Sequence, residues 1–139
     1  MDEIIVGVDE SDTARAAAEH AAELANRYGR PLHLVRSLAQ RTPKTVRGGG
    51  TESWQVDTLT LAEEHLLAMA GTLGATGPVS HAVLADDPAS ALCNEATRLG
   101  ASFIVVGNKR VQGAARVLGS IAGDVAKHAP CNVVIVHTH

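Results

Sequence analysis

A glycine-rich stretch in the C-terminal third of the chain carries residue types that could bind phosphate. It runs from Gly107 to Ser120 and combines glycines with a hydroxyl at a predicted helix start and three cations, Lys109, Arg110 and Arg116. The free N–H groups and the dipole of a helix N-terminus attract anions, and glycine lets the backbone approach a ligand closely. The spacing matches neither the G-x-x-x-x-G-K-S/T phosphate loop nor the G-x-G-x-x-G dinucleotide motif. Two interpretations therefore stay open, phosphate binding or an ordinary connection between a strand and a helix.

A carboxylate at the end of the first apolar run is the second candidate. Asp9 closes the run that begins at Ile4, and it could accept a hydrogen bond from a ribose hydroxyl or help to hold Mg²⁺. The alternative is a turn or cap residue for the helix that follows. The nearby Glu10 and Asp12 do not complete a calcium loop, which needs a central glycine and a final glutamate. No histidine or cysteine spacing indicates a metal site or a nucleophile, so we predict no metal ligand and no catalytic residue.

Five apolar strands alternate with four helices, and this order determines where the two candidates lie. The strands are predicted at residues 4–9, 31–38, 79–85, 103–107 and 133–136, and the helices at about 11–28, 54–73, 88–99 and 119–129. Short, continuous apolar runs are typical of strands buried on both faces. The alternation predicts a parallel sheet with right-handed crossovers and helices on both faces. Ligands bind such sheets beyond the carboxyl ends of the strands, which is where we expect Asp9 and Gly107.

The segment from about residue 39 to residue 53 breaks this pattern, because it contains Pro43 and three consecutive glycines. We predict a flexible loop without secondary structure, followed at about Trp54 by the second helix. The loop comes after the second strand, so it should emerge on the ligand side of the sheet. Either its cations fold over phosphates as a lid, or the loop is solvated and flexible; the cations are Arg41, Lys44 and Arg47.

Size and composition indicate one globular domain over residues 1–139. Apolar residues make up 45% of the chain and charged residues 19%, which is typical of globular proteins. The net charge of -3 and the single tryptophan argue against nucleic acid as a partner, because such proteins use basic surfaces and aromatic stacking. No apolar stretch approaches the roughly 20 residues of a membrane-spanning helix, and the first residues do not form a signal region. We therefore expect a cytoplasmic protein with neither a membrane nor a nucleic-acid partner.

Three segments together make the chain resemble the universal stress protein family over essentially its whole length. They are IIVGVDES at 4–11, DPASAL at 87–92, and the C-terminal stretch 105–136, which includes LGS and HAPCNVVIV. The resemblance implies a Rossmann-like α/β fold, with a five-stranded parallel sheet of order 3-2-1-4-5 and helices on both faces. It also implies a role in stress regulation and a homodimer, often paired through the last strand. Some members of the family bind ATP and others do not.

The resemblance further implies where a nucleotide would bind. The family's phosphate loop, G-x-x-G followed by nine residues and then G-S/T, falls on Gly107 and on the pair Gly119 and Ser120. Asp9 matches a position that contacts ribose, and Ser37 matches a backbone contact to adenine. The expected ligand is ATP or another adenine nucleotide, with Mg²⁺ on its phosphates. The full predicted nucleotide-binding set is Val8, Asp9, Ser37, Val106, Gly107, Arg110, Gly113, Gly119, Ser120 and Ile121.

Two departures from the family's loop leave alternatives open. The second glycine is replaced by Arg110, and only eight residues separate it from Gly119. Either Arg110 obstructs the approach of phosphate, or its guanidinium binds phosphate oxygens bidentately while Gly113 supplies the missing flexibility. We favour a nucleotide-binding regulator over a nucleotide-free dimeric interaction module of the same fold. A slow ATPase or nucleotidyl-transfer enzyme is the third class; it is not predicted, because the second carboxylate of efficient phosphoryl transfer is not evident.

Overall fold

The computed structural model describes residues 2–38, 43–47, 53–109 and 118–138, and for residues 43–47 and 53–56 it describes the backbone alone. In these ranges the chain forms seven strands and four helices. In chain order they are β1 (Ile4–Gly7), α1 (Asp12–Tyr28), β2 (Leu32–Ser37), β3 (Pro43–Arg47), β4 (Ser53–Asp57), α2 (Thr58–Ala70), β5 (Val79–Leu84), α3 (Pro88–Leu99), β6 (Phe103–Lys109), α4 (Ser120–His128) and β7 (Asn132–Thr138).

Five of the strands form one sheet of order β5-β2-β1-β6-β7, and all neighbouring pairs in it are parallel. When only the strands of this sheet are counted in chain order, the order is 3-2-1-4-5, which confirms the predicted five-stranded sheet. The order reverses between β1 and β6, because β2 follows β1 on one side and β6 lies on the other. β1 continues into α1 and β2 on one side, whereas α4 and β7 follow β6 on the other, and a crevice between the carboxyl ends of β1 and β6 is typical of this arrangement.

The central strand β1 packs against helices on both of its faces. Ile4 and Val6 belong to a core shared with α1 and α2, whereas Ile5 belongs to a core shared with α3 and α4. Successive side chains of a strand point to opposite faces, and this explains why the whole apolar run is buried. On the first face α1 presents alanines, three of which have no exposed surface: Ala17, Ala18 and Ala21.

Side chains cap the N-termini of α1 and α3, and glycines end both helices. The Ser11 hydroxyl accepts a hydrogen bond from the Ala14 N–H at 3.1 Å, and the Asp87 carboxylate accepts one from the Ser90 N–H at 3.2 Å. Both helices end at a glycine in the left-handed conformation, with φ 64° at Gly29 and at Gly100, where side chains are disfavoured. These caps place the starts of α1 and α3 directly after the ends of β1 and β5.

The prediction for residues 39–53 was wrong over part of its length. β3 and β4 form an antiparallel hairpin, in which Val46 pairs with Trp54, and α2 begins at Thr58 rather than at Trp54. β-branched and aromatic residues favour strands, and the Asp57 carboxylate, which accepts the Leu59 N–H at 2.9 Å, marks the true helix start. Of the proposed lid cations, Arg41 lies outside the described residues, and Lys44 and Arg47 lie on β3.

A buried polar network near the amino ends of β2 and β5 was not predicted. His33 and Glu95 are 4% and 3% exposed, and the Nε2 atom of His33 lies 2.7 Å from Oε2 of Glu95. On its other side, Nδ1 of His33 lies 2.6 Å from the Ser80 hydroxyl. Arg98 donates to Glu95 from Nε at 2.6 Å. The network fastens α3 to two strands, and it holds the pKa of Glu95 below its usual range, first through the Arg98 guanidinium and then through His33.

We expect Glu95→Gln to reduce the free energy of unfolding by about 2 kcal/mol at neutral pH, the value of hydrogen bonds to a charged group. The folded-state pKa of Glu95 is lowered, so its contribution is fully present above the ordinary value of 4.5. That contribution is lost as the pH falls through the folded-state pKa. Urea unfolding of both proteins at neutral and acid pH should therefore show a difference that shrinks in acid. The control, Glu64→Gln on an exposed position of α2, should match the wild type. A Glu95→Gln difference that is independent of pH would contradict this account.

Candidate functional site

A cavity of about 250 Å³ opens at the carboxyl ends of β1 and β6, where the strand order reverses. This is the place at which parallel sheets of this kind bind ligands. Strand ends contribute its floor, and the first turns of α1, α3 and α4 contribute its walls. The lining residues are Gly7, Val8, Asp9, Ser11, Thr13, Ala14, Val35, Ser37, Pro88, Leu92, Val106, Gly107 and Ile121.

The structure brings six of the ten predicted site residues together in this cavity, namely Val8, Asp9, Ser37, Val106, Gly107 and Ile121. Gly119 and Ser120 immediately precede Ile121 at the start of α4. Arg110 and Gly113 lie outside the described residues. Sequence reasoning missed the lining residues from the first turns of α1 and α3. The order of elements could have indicated them, because every helix that follows a parallel strand begins at this same edge.

Asp9 combines the two roles that the sequence left open. Its Oδ1 atom accepts a hydrogen bond from the Ser11 N–H at 2.7 Å, so Asp9 does organise the turn into α1. No hydrogen bond to Oδ2 occurs among the described residues, and Asp9 lies exposed on the cavity wall. The second carboxylate oxygen is therefore able to accept a hydrogen bond from a ligand hydroxyl without disturbing the turn.

The hydroxyl of Ser37 is engaged inside the protein. It donates a hydrogen bond to the carbonyl of Asp86, and the next residue, Leu38, donates its N–H to the carbonyl of Leu84 at 2.8 Å. Both contacts tie the end of β2 to the end of β5. A ligand beside Ser37 would thus meet mainly backbone atoms and the apolar wall that Val35 and Leu92 contribute.

Among the described residues, the N-terminus of α4 differs from the other three because its N-cap residue makes no side-chain hydrogen bond. Ser11, Asp57 and Asp87 each accept an N–H of the first turn of their own helix, and the Ser90 hydroxyl and N–H lower the pKa of Asp87. The N-cap of α4 is Gly119, which makes no such side-chain bond. Free N–H groups in the first turn of a helix attract anions. The start of α4 therefore offers donors to a phosphate at the edge of the cavity.

Gly107 is required by the packing of α1. A Cβ atom at this position would lie 2.7 Å from Cγ2 and 2.8 Å from the carbonyl oxygen of Thr13. The backbone of Gly107 has no positive φ, so the constraint is the space that α1 occupies and not the local conformation. The sequence alone predicts only that this glycine allows the close approach of phosphate.

The residues that the structure describes contain no group of three or more histidine, cysteine, aspartate or glutamate side chains able to hold a metal. Mg²⁺ is commonly bound by one or two carboxylates together with phosphate oxygens of a ligand. Asp9 is the carboxylate on the cavity wall, so a Mg²⁺ ion here would depend chiefly on the phosphates of a nucleotide. Within the described ranges, no helix is both long and apolar enough to cross a membrane.

Comparison with known proteins agrees with this geometry. The model of the universal stress protein family matches residues 1–137 of the chain. A universal stress protein from Archaeoglobus fulgidus is 26% identical, with a TM-score of 0.75, and the alignment covers 98% of each chain. The Archaeoglobus fulgidus protein in complex with dAMP is 26% identical, with a TM-score of 0.71 and the same coverage of 98% of each chain.

A universal stress protein in complex with cAMP shares the fold, with a TM-score of 0.69 and 22% identity over 99% of this chain and 98% of that chain. A search of curated proteins gave no match. The solved structures therefore show the fold, and the family model shows the family.

We expect Gly107→Ala to reduce the free energy of unfolding by about 1–3 kcal/mol, the usual cost of overpacking, because the new methyl group meets backbone atoms of Thr13. Gly119→Ala is the matched control. Its Cβ would lie 3.3 Å from the nearest atom, the side-chain oxygen of Asn108, which can yield slightly. Urea unfolding of both variants tests this, and equal losses at the two positions would show that α1 does not limit position 107.

Proposed function

We propose that this chain, which belongs to the universal stress protein family, is a stress-response regulator that binds an adenine nucleotide between the ends of β1 and β6. The observation that carries the proposal is the cavity at the reversal of strand order, with the uncapped start of α4 at its edge. The relative from Archaeoglobus fulgidus supports it, since that protein was solved with dAMP.

The lining suggests an orientation for the nucleotide. The base would lie against apolar side chains near Ser37, where contacts to the backbone are available. The ribose would meet Oδ2 of Asp9, and the phosphates would meet Gly107 and the N–H groups that begin α4 at Ser120 and Ile121. An apolar wall with a few polar groups is the usual construction of a small-molecule site.

We propose ATP with Mg²⁺ as the ligand. The binding of its phosphates is the part of this proposal that depends most on Arg110. If the guanidinium binds phosphate oxygens, it replaces the family's second glycine by a direct ligand. We further propose that the protein binds the nucleotide without turning it over, because the described part of the lining supplies one carboxylate, Asp9, where phosphoryl transfer usually employs more groups.

A cytoplasmic homodimer paired through β7 completes the proposal. β7 is an edge strand, and its sequence from Asn132 to Thr138 contains neither proline nor lysine, residues that often protect an edge from pairing. Two copies related by a two-fold axis could pair along this edge. Sedimentation as a monomer at micromolar concentration would contradict this part.

The second candidate is a nucleotide-free interaction module of the same fold. The specific observation in its favour is the altered loop, in which Arg110 replaces a glycine and the following spacer is one residue short. A module of this kind would regulate a protein partner through its surface and would not respond to nucleotides.

Calorimetric titration with Mg-ATP, AMP, dAMP and cAMP distinguishes the candidates. We expect the wild type to bind and Gly119→Glu to lose all measurable binding, because a carboxylate would repel phosphate at the start of α4. Gly77→Glu is the matched control. Gly77 is exposed, and a Cβ atom placed there would lie 3.8 Å from the Arg30 carbonyl oxygen. It precedes β5, at the amino ends of the strands and away from the cavity.

An Arg110→Gly variant separates the two functions further. Weaker binding in Arg110→Gly than in the wild type would make Arg110 a phosphate ligand. Binding in Arg110→Gly alone, with a silent wild type, would favour the interaction module. ATP recovered intact by chromatography after prolonged incubation is the expected result, and its conversion to ADP would indicate the enzyme instead.

A further inference from the structure

The end of β7 lies closer to the nucleotide cavity than the lining residues suggest. β7 pairs in parallel with β6 along its whole length, and the register continues beyond Gly107, with Asn108 opposite His137 and Lys109 opposite Thr138. We propose that His137 and Thr138 are positioning residues of the nucleotide site, each holding one of its walls. The inference rests on the proposed function, and neither residue lines the cavity itself.

The first wall is the start of α1. The hydroxyl of Thr138 lies 2.9 Å from that of Thr13, so the two share a partly buried hydrogen bond between residues 125 positions apart. Thr13 lines the cavity, and its methyl and carbonyl groups fill the space beside Gly107. Thr138 therefore holds α1 at its first turn, which follows Asp9 closely along the chain.

The second wall is the start of α4, and Asn108 connects it to β7. Asn108 is 4% exposed, and its Oδ1 atom accepts the N–H of Gly119 at 2.8 Å. Its Nδ2 atom lies 3.4 Å from Nδ1 of His137. That Nδ1 atom accepts a hydrogen bond when it carries no proton. A single buried amide thus joins the end of β7 to the residue that caps α4.

These contacts connect β7 to the protein groups at both ends of a bound nucleotide. The contact through Thr138 reaches the wall near the ribose, and the contact through Asn108 reaches the donors for phosphate. β7 is held by the sheet on one side only, because it is an edge strand. Any chain that pairs with its free side and shifts its end would change nucleotide affinity, and the nucleotide would by the same linkage change the affinity of that pairing.

Titration with dAMP and with adenosine tests the proposal in two variants. Thr138→Val keeps the size of the side chain and removes the hydroxyl, and we expect it to weaken dAMP binding about fivefold, the effect of one hydrogen bond. Thr138→Ser keeps the hydroxyl and should bind like the wild type. His137→Leu should weaken dAMP by a similar factor and leave adenosine unchanged, because it acts on the phosphate end.

The double variant Thr13→Val/Thr138→Val shows whether Thr138 acts through Thr13. If it does, the double variant binds dAMP no more weakly than Thr13→Val alone. Urea unfolding accompanies each titration to establish that the variants are folded. Unchanged dAMP affinity in folded Thr138→Val and His137→Leu would overturn the inference while leaving the proposed function intact. Equal losses for adenosine and dAMP in His137→Leu would overturn the role assigned to His137. A wild type that binds none of Mg-ATP, AMP, dAMP and cAMP would overturn the proposed function and this inference with it.

Discussion

At the end of β6, the carbonyl oxygen of Thr13 occupies the space that any side chain at position 107 would need. This close approach depends on the buried face of α1, where alanines such as Ala17 and Ala21 replace the larger side chains usual in a core. Because the helix lies so near the sheet, its first turn reaches the edge of β6 and becomes a wall of the cavity. The cavity depends on this contact, since Thr13 and Gly107 both line it.

Stabilising polar contacts and polar groups accessible to a ligand lie at opposite ends of the sheet. Near the amino ends, His33 and Glu95 bury charge and hydrogen bonds that fasten α3 to β2 and β5. At the carboxyl ends, by contrast, Asp9 and the first turn of α4 keep polar groups available to a ligand. A buried charge is costly unless it is paired, and this network lies at the end of the sheet opposite the cavity. Backbone donors at a helix start attract anions, and the start of α4 lies at the cavity end of the sheet.

Several features of the fold could be predicted because each has a local cause in the sequence. The run from Ile4 to Val8 is apolar at every position, which requires burial on both faces, and Asp87 followed by proline is a helix start in any context. The hairpin of β3 and β4 was missed because Pro43 and the glycines at 48–50 are typical of loops, while the pairing between its strands depends on residues several positions apart. The start of α2 was misplaced for the same reason, since Asp57 acts as a cap only once the hairpin has ended.

The sequence by itself determined the order of the five sheet strands and the four helices, the parallel sheet, and the positions of Asp9 and Gly107 near the carboxyl ends of strands, because apolar period, caps and glycines act over a few residues. It also carried the family resemblance that named six of the cavity's lining residues. Only the tertiary structure decided that Thr13 explains the glycine at 107, and that Asn108 joins β7 to the start of α4. The hydrogen bond between Thr13 and Thr138 spans 125 positions, and Thr13 and Gly107 are also far apart in the sequence. Such contacts form only when the helices pack against the sheet.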